Sequence, residues 1–217
     1  MTLYNIGISC LSINRFKKSE RNNILSAEAR RILSILADSP TGAITTDKND
    51  RPFFDDGNMD FNISHSGTAV AVSLVQGENI NGVRVQTGCD IQLIRPREYL
   101  RNIAEEIFCA AEKDYILSQE ETQLDRFFQI WTLKECYIKL KGLSVFDMSK
   151  APSFIFCDTA GQYHINFNLR GSPPLSFYLN ELVYAGERYM LAAAIEGNRG
   201  IHPEICMFSY PAALLSR

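Results

Sequence analysis

The sequence predicts an α+β protein built as two similar lobes. Three observations carry that prediction. Strand, helix and strand signals occur in the same coarse order in both halves of the chain. A turn, GENING at 77–82, separates the halves. The last third is β-rich, with SFIFCD, YHINFN, LSFYLN and YMLAAAI running between Gly and Pro punctuation. The expected division is an N-terminal lobe over 1–82 and a C-terminal lobe over 83–217, with a ligand cleft between them.

LYNIGISC at 3–10 reads as the first strand. RFKKSERNN at 15–23 is basic and polar and reads as a loop or short helix. Ser26 is placed to cap a helix from Ala27, whose apolar face is Ile32, Leu33, Ile35 and Leu36. FNIS and TAVAVSLV read as two strands joined at His65-Ser66-Gly67. Val83, Val85, Cys89 and Ile91 mark the next strand, which Pro96 stops. Leu100, Ile103, Ala104, Ile107 and Phe108 then form a helical stripe. A short helix over Ala111–Leu117 and a long one from about Leu124 to Lys141, closed by Gly142, complete the middle. FSYPAALL closes the chain.

Composition narrows the function classes. The 217 residues suit one large domain or two small ones, and 46% hydrophobic with 22% charged residues is ordinary for a globular protein. A net charge of −3 gives no reason to expect a nucleic acid partner. The cysteines (Cys10, Cys89, Cys109, Cys136, Cys157 and Cys206) are scattered without a C-x-x-C pair, which argues against zinc and disulfides and fits a reducing cytoplasm. There is no secretory signal pattern at MTLYNIGISC, and no apolar run approaches the roughly 20 residues a membrane span needs.

The chemistry concentrates in two segments, GCDIQ with Asp90 and WTLKECYIKLKG with Glu135 and Lys139. Trp131, Glu135 and Lys139 follow at i, i+4 and i+8 and share one helix face, while Leu133, Tyr137 and Leu140 share another. Glu135 before Lys139 also has the order of an ordinary surface ion pair. Asp90 follows an apolar run. It either faces water at a strand end or, if buried, needs a partner or a cation. Asp90 and Glu135 together have the charge to hold Mg²⁺, and Gln92 can add an amide oxygen or orient a water. In FNISHSG, Ser64 and His65 are either phosphate-binding groups or parts of a plain turn. No G-x-S-x-G elbow surrounds them, which argues against a Ser–His hydrolase. Arg51 suits bidentate phosphate contact, and Arg30 and Arg31 are weaker candidates on their helix.

RPFF…FNISHSG, GCDIQ, EIFCAAEKDYI and FFQIWTLKECYIKLKGLSV, in that order over about residues 51–145, resemble the 4′-phosphopantetheinyl transferases of the surfactin-synthetase-activating type. Fainter echoes are SAEARRIL and RYMLAAAI. The resemblance implies two pseudo-two-fold related lobes, each a small antiparallel sheet packed with helices, with coenzyme A and Mg²⁺ or Mn²⁺ between them. It implies a monomer that transfers the phosphopantetheine arm to a serine of an apo acyl or peptidyl carrier protein. It assigns the metal to Asp90 and Glu135, the pyrophosphate contact to Lys139, and nucleotide phosphates to Arg51, Ser64, His65 and Arg30. Glu112 matches an acid near the metal, and Lys17 and Lys18 are candidates for the 3′-phosphate. The chain departs from the common G-[IC]-D-[IV]-E pattern at Gln92, where many relatives carry a second acid. That departure keeps open a non-catalytic homologue that binds coenzyme A or a carrier. An unrelated Mg²⁺-dependent phosphohydrolase is the third class.

Overall fold

Strands that are apolar on both faces belong inside a layered stack. In the computed structural model, which describes residues 3–14, 16–38, 44–49, 51–54, 59–77, 85–159, 162–167, 174–197 and 202–209, they lie there. The chain runs β1 (Leu3–Cys10), α1 (Lys18–Leu36), β2 (Ile44–Thr46), β3 (Pro52–Phe54), β4 (Met59–Ser66) and β5 (Ala69–Gln76). It continues through β6 (Gln86–Leu93), α2 (Leu100–Ile107), α3 (Ala110–Leu117), α4 (Gln123–Leu140), β7 (Phe154–Thr159), β8 (Gln162–Phe167), β9 (Leu175–Tyr184), β10 (Glu187–Glu196) and β11 (Glu204–Phe208). The fold is α+β, with small sheets packed against helices.

β2-β3 and β7-β8 form two-stranded sheets, and the two larger sheets have the orders β11-β1-β5-β4 and β6-β10-β9. Pairing within them is antiparallel except for β11, which runs parallel to β1. β5 shows why they stack. Ala69, Ala71 and Val75 face the second sheet, among Ile6, Ile8, Ile91 and Leu191. Val70, Val72 and Leu74 face α1, among Leu25, Ile32 and Leu33. In the second sheet Met190, Ala192 and Ala194 of β10 face α4, among Phe127, Phe128 and Leu133. The layers are therefore α1, sheet, sheet, α4. β4 and β6 are both sheet edges, and they lie side by side where the layers meet α4.

Gly88 of β6 allows that helix to come close. A Cβ there would stand 2.5 Å from the Cys136 carbonyl oxygen and 2.7 Å from Leu140 Cβ. Backbone cannot give way as a side-chain tip can, so Gly88→Ala is expected to push α4 off β6. The expected cost is ~1–3 kcal/mol of stability, measured by urea unfolding.

Several expectations need correction. The basic 15–23 tract belongs largely to α1, which starts at Lys18, with the Lys17 amide donating to Glu20 Oε2 at 2.8 Å; Ser26 lies inside the helix and caps nothing. His65 and Ser66 are strand residues, and the turn is Gly67-Thr68, with Gly67 at φ +59°. The helix after Pro96 begins four residues later, at Leu100. The strand expected from Val83 is described from Gln86, and the GENING junction at 78–82 lies outside the described residues. β11, which sequence reading missed, joins the sheet of β1.

Candidate active site

β6 alternates its side chains, so Cys89, Ile91 and Leu93 enter the inter-sheet core while Gly88, Asp90 and Gln92 face α4. Asp90 is thus a mid-strand residue with 0% exposure, not a strand-end acid facing water. A buried carboxylate needs partners. Asp90 Oδ1 accepts from Ser64 Oγ of β4 at 2.7 Å and from Lys139 Nζ of α4 at 2.5 Å. Its Oδ2 accepts from Gln92 Nε2 at 2.9 Å. Lys139 Nζ also donates to Ser64 Oγ at 2.8 Å. Three elements, β4, β6 and α4, converge on this carboxylate.

Glu135 lies one helical turn before Lys139. Burial, and then the negative charge of Asp90, push its carboxyl up to about 7; Lys139 and Arg97 oppose that rise. Burial works against the Lys139 ammonium, but the pairing with Asp90 outweighs it and holds Lys139 above the usual lysine range. The negative charge of Asp90 thus adds to burial in making the Glu135 carboxylate costly to form, a cost that a bound cation would relieve. His65 presents an exposed residue surface with its ring partly withdrawn from water. That withdrawal and the Lys139 charge hold its imidazole below the ordinary histidine range. Among the described residues no three or more His, Cys, Asp or Glu side chains cluster as a metal cage. Two carboxylates and an amide fit a hard cation that keeps waters and takes its other ligands from substrate phosphates.

The other expected residues stand elsewhere. Arg51 is 9% exposed and makes a bidentate pair with Asp60 at 2.9 and 2.6 Å, while its Nη2 reaches the Thr87 carbonyl at 3.0 Å. Its buried Nε has no hydrogen-bond partner among the described residues. Arg51 also lines a cavity of about 270 Å³ with Asp47, Phe53, Gln86, Leu140 and Lys141. Arg30, Lys17 and Lys18 are exposed along α1 and its start, and none has a described hydrogen bond to the Asp90 cluster. Arg31 is bidentate to Glu28 at 2.7 and 2.8 Å.

Glu112 does not join the Asp90 group. It is fully buried, pairs with Lys134 at 3.1 Å, and accepts from the Phe154 and Cys109 amides at 2.9 and 3.1 Å. It ties α3 to α4 and β7. Lys134→Met is therefore expected to strand a buried carboxylate and cost ~3–5 kcal/mol in a urea melt. Arg97 is the residue sequence reading missed. Its guanidinium lies 5.7 Å from the Trp131 ring centre and 5.3 Å from that of Phe128, and its charge acts on Glu135. The one available signal was a basic residue in the RPR tract just after the Asp90 strand.

Residues 86–194 match the family model described as the 4′-phosphopantetheinyl transferase superfamily, a span that holds Asp90, Gln92, Glu135 and Lys139. The chain is 34% identical over 128 residues to the 4′-phosphopantetheinyl transferase AcpT of Salmonella typhi, covering 58% of this chain and 62% of that protein. It is 37% identical over 97 residues to AcpT of Escherichia coli K12, covering 43% and 45%. It is 40% identical over 86 residues to the 4′-phosphopantetheinyl transferase psf-1 of Bacillus pumilus, covering 39% and 33%. The match thus spans less than two thirds of each of these relatives.

Proposed function

The chain belongs to the 4′-phosphopantetheinyl transferase superfamily, and from that premise we propose that it moves the phosphopantetheine arm of coenzyme A onto a serine of an apo acyl or peptidyl carrier protein. The observation that carries this reading is the convergence of Ser64, Asp90 and Lys139 beside a Glu135 carboxyl raised to about 7.

Asp90 and Glu135 would hold Mg²⁺ or Mn²⁺, with Gln92 supplying an amide oxygen or orienting a water. The bound cation would supply neutralisation of the charge that grows on the departing phosphate. Lys139 adds a fixed ammonium on the same side. His65, Ser64, Arg51 and Arg30 are assigned to the nucleotide end. Glu135 is assigned as the base that takes the proton of the incoming serine hydroxyl, directly or through a water. The serine oxygen forms a bond to the β-phosphorus, the bond from that phosphorus to the bridging oxygen breaks, and adenosine 3′,5′-bisphosphate leaves. The nucleophile comes from the partner, so no serine of this chain is consumed. We assign the protein to the cytoplasm as a monomer. Among the described residues no helix is long and apolar enough to cross a membrane.

Incubation of an apo carrier protein with this chain, coenzyme A and Mg²⁺ tests the reading by mass spectrometry. A gain of one phosphopantetheine on the carrier is the expected result. No gain with any carrier, together with tight coenzyme A binding, would instead support the non-catalytic reading that Gln92 keeps open. Gln92→Glu is expected to lower the Mg²⁺ concentration for half-maximal transfer by about threefold to tenfold, because it adds an anionic ligand beside Asp90. A large loss of activity would give the Gln92 amide a role of its own.

A further inference from the structure

β6 is an edge strand, and every second backbone N–H along its open side needs a partner. Among the described residues no strand supplies one. Side chains of β4 do. The Thr87 amide donates to Asp60 Oδ2 at 2.8 Å, Cys89 to Asn62 Oδ1 at 3.2 Å, Ile91 to Ser64 Oγ at 3.2 Å, and Leu93 to Ser66 Oγ at 2.9 Å. The donors step by two along β6 and the acceptors by two along β4, so four rungs keep a constant offset of 27 residues. Arg51 closes one end of this ladder by gripping both Asp60 and the Thr87 carbonyl.

We propose that this side-chain ladder, acting with the β10 pairing on the other side of β6, holds β6 in register with β4 so that Asp90 meets both Ser64 and Lys139, and that Asn62 and Ser66 are positioning residues for the transfer reaction. The reaction itself rests on the function proposed above. A slip of one residue turns Asp90 from the α4 face into the apolar inter-sheet core. A slip of two carries it about 7 Å along the strand, out of reach of Lys139. Ser64 joins the ladder to the site. A hydroxyl has one hydrogen and two lone pairs; Ser64 gives the hydrogen to Asp90 and accepts from Ile91 and Lys139. Asn62 and Ser66 have no described hydrogen bond to a side chain of the site, so any effect they have on it passes through the β6 backbone.

The test compares the intact protein with Ser66→Ala and Asn62→Leu, and with Ser66→Thr, which keeps the hydroxyl. Amide exchange measured by NMR reads the ladder, and the carrier mass assay reads kcat, the Mg²⁺ requirement and the KM for coenzyme A. Ser66→Ala is expected to speed Leu93 exchange about tenfold while Thr87 keeps its rate. It is also expected to lower kcat and raise the Mg²⁺ requirement, each about fivefold, with KM for coenzyme A unchanged. Ser66→Thr restores all three. Asn62→Leu does the same at Cys89, and circular dichroism melts establish that each variant folds. Unchanged Leu93 exchange in Ser66→Ala, or faster exchange with wild-type kcat and Mg²⁺ requirement, overturns the proposal. A wild-type protein with protected amides that transfers nothing overturns the positioning role through the functional reading, and the exchange rates still show whether the ladder forms.

Discussion

Asp90→Asn is expected to cut phosphopantetheine transfer by at least about 100-fold, the scale of losing one preorganised charge at a reacting phosphate. The change keeps the shape and one carbonyl oxygen, so Ser64 or Lys139 retains an acceptor. What it removes is the negative charge that, with Glu135, would attract a divalent cation, and the counter-charge of Lys139. Lys139 is partly exposed, so its unpaired ammonium is screened, and the stability loss is expected at ~1–3 kcal/mol rather than the larger cost of a fully buried pair. Urea unfolding gives the second quantity and the carrier mass assay the first. Transfer within tenfold of wild type would remove Asp90 from the metal site. Asp90→Ala is less informative, because it also leaves a hole between β6 and α4.

Glu135 carries the second large effect, and its sign follows from the raised carboxyl. Metal binding needs the ionised form. With a carboxyl at about 7, the ionised fraction falls about tenfold from pH 8 to pH 6. The Mg²⁺ concentration for half-maximal transfer is therefore expected to rise about tenfold over that interval. Stability moves the opposite way. The folded protein holds a proton on Glu135 between about 4.5 and 7 that the unfolded chain has released. The contribution is fully present below that window and is lost as the pH rises through 7. Glu135→Gln should flatten this part of the stability profile, seen as the difference between variant and wild type in urea midpoints at pH 5 and 8. It should also abolish most transfer. A Mg²⁺ requirement equal at pH 6 and pH 8 would exclude Glu135 as a ligand.

The layered core was legible because its residues are apolar on both faces. AVAVSLVQ and the run through YMLAAAI are both-face-buried strands, and each lies between a helix and the opposing sheet. The start of α1 was not legible, since a solvated first turn shows no apolar period, and only the Glu20 cap marks it. The β11 pairing with β1 joins the two ends of the chain and leaves no local trace. In FNISHSG the alternation of Phe61 and Ile63 with Asn62, Ser64 and Ser66 was present in the letters, but glycine drew attention to a turn. The polar members proved to be strand side chains bonded to β6.

The site was legible as a set of residue types and less so as partnerships. Asp90, Lys139 and Ser64 meet, with Glu135 close enough for Asp90 to shift its ionisation. Arg51 and Glu112 each have a long-range counter-ion, Asp60 and Lys134, that no local pattern announces. Spacing along one chain cannot show which opposite charge the fold will bring beside a given residue.

A Mn²⁺ titration in the presence of coenzyme A, followed by electron paramagnetic resonance, tests the pairing of Asp90 and Glu135 around a cation most directly. One Mn²⁺ bound per chain in the wild type, with affinity at least about tenfold weaker in both Asp90→Asn and Glu135→Gln, is the expected result. Binding of equal strength in all three proteins would contradict it.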